Sequence, residues 1–110
     1  MQLFDDLIRS YVAADLAPET VQAWYRQHSP SDEALSTLAE NIGAMFIAGQ
    51  INFTAANGLL NQLMSLSGFE QAPQRFWQYY IAFEDYENSA NPDSDARPGV
   101  AALTSNSALG

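Results

Sequence analysis

The residues best equipped for chemistry stand in one short run, Glu84, Asp85, Tyr86 and Glu87. Two carboxyl groups held close together can share a proton or hold a hard cation. Asp5 and Asp6, near the start of the chain, would join them if the first and last helices were neighbours. A metal centre or an acid–base pair needs ligands that converge on a point, and these acids are spread around a helix that runs into a polar segment. No catalytic residue and no metal-ligand set is therefore assigned. The single histidine, His28, excludes a His-paired metal site, and no Ser or Asp motif accompanies it. Its expected setting is the inner face of the second helix, held by a carbonyl or carboxylate. There is no phosphate-cradling glycine loop, GxSxG, HExxH or EF-hand loop, so no cofactor is expected. With no cysteine, disulfides and thiolate chemistry are excluded.

Recognition suits these residues better than reaction. The expected partner-binding set is Trp77, Tyr79, Glu84, Asp85, Tyr86 and Glu87, with Asp5 and Asp6. Aromatic rings supply contact area and cation–π attraction, while carboxylates supply steering and bidentate pairing to arginine. The whole chain has the same bias: 13 acids face 4 bases, all arginine, for a formal charge of −9. That field repels phosphate, which disfavours direct nucleic-acid binding and favours a basic protein partner.

The element that carries this set is the stretch Pro73 to Glu87, PQRFWQYYIAFEDYE. At helical spacing Phe76, Tyr79, Tyr80, Phe83 and Tyr86 share one broad stripe, with Trp77 and Ile81 on a second flank. Such an arc needs several packing neighbours or a second copy of the chain, so a homodimer is an expectation. Four helices precede it. Residues 2–15 place Leu3, Phe4, Leu7, Ile8 and Tyr11 on one side. Pro18 opens a second helix with Val21 and Trp24 inward. Ser29 is the expected cap of a third, which runs to about Ala48 and holds Gly43 inside it. A close helix crossing would explain that glycine, and Gly49 would end the helix. Asn52 caps a fourth from Phe53 to about Ser67, with Asn57 near its apolar stripe as either a buried polar contact or an exposed binding amide. Phe69 is expected to tuck under the bundle.

The fold class that follows is all-α, a small single-domain bundle of about five short helices spanning 1–87, with a flexible tail over 88–110. The tail is rich in Asn, Ser, Ala, Asp, Pro and Gly without a sustained period. Within it, 100–103 could dock on a partner or on the protein itself. The expected core is Leu7, Tyr11, Val21, Trp24, Leu35, Leu38, Ile42, Phe46, Phe53, Leu60, Leu63, Phe76, Tyr80 and Phe83. No apolar run approaches the roughly 20 residues of a membrane span, and no signal-peptide pattern opens the chain, so a cytoplasmic protein without membrane contact is expected. The expected function is a non-enzymatic acidic module that shields a basic protein, in the manner of an immunity protein, an antitoxin or a phage-encoded inhibitor of a host defence protein. The alternative is an assembly chaperone or structural adaptor, such as a phage morphogenesis factor, acting through the fourth helix and the tail.

Overall fold

The computed structural model describes residues 2–109, and the side chains of all of these except 2, 3, 69 and 105–109. The expectations for Leu3 and Phe69 lie outside the described side chains. The fold is all-α: α1 (Gln2–Ala13), α2 (Pro18–His28), α3 (Asp32–Ile47), α4 (Phe53–Ser67), a 3-10 turn (Phe69–Gln71), α5 (Gln74–Glu84) and α6 (Pro92–Leu109). The middle of the bundle is α3, in contact with α1, α4, α5 and α6. Among the described residues no helix is long and apolar enough to cross a membrane.

Helical periodicity sets the inner faces. Phe4, Leu7, Ile8 and Tyr11 of α1 are buried, as are Val21 and Trp24 of α2. Every expected core residue is buried except Tyr80, which is half-buried. His28 departs from expectation. It is exposed, and its ring lies 5.1 Å from that of Trp24, so the tryptophan occupies the inward position and the imidazole covers its outer edge.

Local chemistry sets the helix ends. The cap of α3 is Ser31, whose Oγ accepts from Ala34 N at 3.1 Å, and not Ser29 as expected. Ser29 instead closes α2 in the left-handed region at φ 41°, donating its N–H to Tyr25 O. The end of α3 follows expectation. Gly49 has φ 77°, its N–H reaches Phe46 O at 3.0 Å and that of Gln50 reaches Met45 O at 2.9 Å, the paired bonds of a Schellman ending. Asn52 caps α4 as expected, its Oδ1 accepting from Ala55 N at 2.9 Å. Asn57 is buried, and Asn61 Nδ2 donates to its backbone oxygen at 2.8 Å and its side-chain oxygen at 3.2 Å. It is thus an internal polar contact, since a buried amide needs such partners.

The largest correction concerns the segment expected as a tail. It forms a sixth helix, Pro92–Leu109, with Ala96 and Val100 fully buried against the body. Pro98 inside α6 removes one helical hydrogen bond, at a cost of about 3 kcal/mol in an isolated helix. Tertiary contacts therefore hold it. Arg97 donates to Ile47 O at 3.2 Å and to Asp93 Oδ1 at 2.9 Å, and its guanidinium lies 4.7 Å from the Phe46 ring centre. Asp93 Oδ2 accepts from Phe53 N at 3.3 Å. One ion pair thus puts a cation at the end of α3 and an anion at the start of α4, where the helix dipoles favour each. Farther along, Arg75 Nη2 donates to Leu103 O at 2.8 Å.

Gly43 explains how α5 and α6 both reach α3. A Cβ there would stand 2.5 Å from Tyr79 Cε1 and 3.4 Å from Val100 Cγ1. The missing side chain makes room for the Tyr79 ring, the close crossing that the sequence suggested.

Candidate partner-binding face

Helix α5 is buried on one side and open on the other. Phe76, Tyr79 and Phe83 have no exposed surface, and Phe83 packs edge-on against Phe46 at 4.9 Å between ring centres. That burial removes Tyr79 from the expected partner-binding set. Its ring lies beneath Arg75, 5.0 Å from the guanidinium carbon, and is closed in by α3 and α6. It also fills the apolar arc from within the chain, so those residues are not open to a second copy.

The outward side has a different composition. Ile81 is 47 % exposed, one of two large apolar side chains so placed among the described residues. Trp77 and Tyr80 are half-buried, their rings nearly perpendicular at 86° and 5.6 Å apart. Trp77, Glu84 and Asp85 stand four, three and four residues from Ile81 and flank it on the helix surface. Asp85 and Glu87 are exposed, while Glu84 and Tyr86 are half-buried. After Glu84 the chain turns, with the N–H groups of Tyr86 and Glu87 bonded to Phe83 O and Glu84 O. The turn folds Glu87 back towards Glu84.

These carboxyls lie close enough to act on one another. Glu84 is held above the ordinary carboxylate range, first by loss of surrounding water, then by the hydrogen-bonding and charge of Glu87, with Asp85 adding to the effect and Asn61 opposing it. Of its two oxygens, Oε2 is buried and has no hydrogen-bond partner among the described residues. The Tyr80 hydroxyl is also raised, by burial and then by the charges of Glu84 and Glu87. A tyrosine, two facing carboxyls and an exposed isoleucine therefore form one continuous face.

Asp5 and Asp6 do not belong to it. Among the described residues α1 touches α2, α3 and α4 and makes no contact with α5. The composite acidic surface would have required those two helices to be neighbours. Among the described residues, no three His, Asp or Glu side chains converge as a metal ion would require. The expected set lacks the exposed Ile81, although its place on the second flank of the helix, away from Phe76, Tyr79 and Phe83, is a readable signal of exposure. The contribution of Asn61 had none, because only the packing of α4 on α5 brings it to Glu84.

No protein-family model matches the chain, and no curated protein or solved structure matches it.

Proposed function

We propose that the protein acts by binding, using the outward face of α5 to cover a basic surface on another protein. The observation that supports this is the juxtaposition of exposed Ile81 and half-buried Trp77 and Tyr80 with Glu84, Asp85 and Glu87. Apolar and aromatic surface supplies contact area, and the carboxyls pair with arginine or lysine of the partner. Glu84 fits the role in particular. A carboxyl that is short of water and crowded by another carboxyl gains more from a cation than a fully solvated one does. An immunity protein, an antitoxin or an inhibitor of a defence protein would each work in this way, by occlusion and without catalysis.

The test uses the full chain as bait in an extract of its source cell. The expected result is retention of one basic protein, weakening as salt shortens the Debye length to about 3 Å at 1 M. Ile81→Arg, Asp85→Lys and Glu87→Lys should each release that protein while leaving the helical circular-dichroism spectrum unchanged. Retention that ignores salt and all three substitutions would refute the reading. The adaptor reading draws on the fourth helix and the tail, and the burial of Ala96 and Val100 against the body takes those two tail side chains out of reach of a client.

A further inference from the structure

The second large exposed apolar side chain, Val12 at 44 %, lies on a different face. Two adjoining depressions of about 360 and 320 Å³ meet there, sharing Val12, Gln50 and Ile51. Ile8 and Met45 floor the first, Arg9 stands on its rim, and Asp15 stands on the rim of the second. The charges distinguish this face from that of α5. Around Ile81 the nearby exposed charges, Asp85 and Glu87, are both negative, so two copies meeting there would oppose acid to acid. Around Val12 there is one charge of each sign.

Arg9, on α1, lines the first depression, and Asp15, in the turn at φ 60° just beyond the end of α1, lines the second, so the two charges stand to either side of Val12. If two such segments cross antiparallel with Val12 at the centre, Arg9 of each copy meets Asp15 of the other. Arg75 and Arg97 are engaged inside the protein, whereas Arg9 is exposed and forms no ion pair among the described residues. In a chain of net charge −9, two copies repel over most of their surface, and a contact of this kind needs a base where they touch. We infer that this face joins two copies of the chain about a two-fold axis at Val12, with Arg9 paired to Asp15 of the partner subunit. The contact is isologous, so a single patch serves both copies. It leaves the Ile81 face of each copy clear for a different protein.

The chain's lack of cysteine allows a clean test. Val12→Cys introduces one thiol at an exposed position, and Ala102→Cys, also exposed but on α6, is the control. Under mild oxidation the Val12→Cys protein should form a disulfide-linked dimer at least tenfold faster than the Ala102→Cys protein. Sedimentation equilibrium of the native chain should show a concentration-dependent dimer. Arg9→Asp and Asp15→Arg should each weaken that dimer about tenfold or more, and the two together should restore it, as like charges become opposite again. A native chain that stays monomeric up to about 1 mM, where even weak association is visible, would overturn the inference. So would equal cross-linking of the two cysteine variants, or a double reversal as weak as either single one.

Discussion

Gly58 and Tyr11 allow a perturbation whose sign is set by a single oxygen atom. A Cβ at Gly58 would stand 2.6 Å from Tyr11 Oη, while the next nearest Tyr11 atoms lie at 3.7 and 4.0 Å, ordinary contact distances. Tyr11 is only 3 % exposed, so the ring has little room to retreat. Placing alanine for glycine inside a helix stabilises by about 0.5–1 kcal/mol through lost unfolded-state freedom. Overfilling a packed interior costs about 1–3 kcal/mol. With Tyr11 present the second effect is the larger, and Gly58→Ala should destabilise by about 1 kcal/mol. In a Tyr11→Phe background the conflicting oxygen is gone, and the same substitution should stabilise by about 0.5–1 kcal/mol. The coupling between the two sites is then about 1.5–2 kcal/mol, measurable by urea denaturation of the native chain, both single variants and the double variant. In thermal melts this corresponds to roughly 4 °C for each kcal/mol in a domain of this size. Equal effects of Gly58→Ala in the two backgrounds would refute the seating of the Tyr11 hydroxyl over Gly58. A rise in stability in both would show helix propensity acting alone.

Gly43→Ala and Gly99→Ala should move stability in opposite directions. The first drives a Cβ into the buried Tyr79 ring, at a net cost of about 1–2 kcal/mol, while the second meets nothing within 4 Å and gains up to about 1 kcal/mol in melting experiments. Asp93→Ala should cost about 1 kcal/mol by removing the partner of Arg97 and the carboxylate at the start of α4, with hydrogen exchange in α6 rising more than in α3. Exchange rising equally in both helices would mean that Asp93 does not hold α6. Because the Glu84 carboxyl is raised in the fold, the folded state binds its proton more tightly than the unfolded chain does. Its contribution is therefore full below the ordinary value of 4.5 and lost as pH climbs above it. Stability of the native chain should accordingly increase on mild acidification towards that value, and Glu84→Gln should flatten the increase. An identical pH profile for Glu84→Gln would remove Glu84 from that account.

Much of this molecule was legible along the chain, because its information is local. Side chains three and four residues apart share a helix face wherever the helix lies, so the inner stripes of α1 to α4 were readable. Asn52 and Gly49 were readable too, since a cap and a left-handed ending depend only on adjacent backbone. Ser31 shows where that legibility stops. Two serines flanked Pro30, and the choice between them turned on how α2 ended. The same limit applied to His28, which shares a face with Trp24 in sequence yet lies outside it in the fold.

What was hidden depends on contacts between distant residues. A helix with Pro98, Gly99 and, among its described residues, only two fully buried side chains has too sparse a stripe to stand out by periodicity, and α6 is held where Val100 packs beside Gly43 and where Asp93 and Arg97 meet the two ends of the α3–α4 connection. The candidate site follows the same rule. The acidic and aromatic residues near the end of α5 could be named from the sequence, but the packing of α3, α4 and α6 decided that Tyr79 faces inward and Ile81 outward, and that Asp5 and Asp6 lie elsewhere. Composition and spacing determine which side chains a helix offers on each face; only the docking of its neighbours determines which of those faces still meets water.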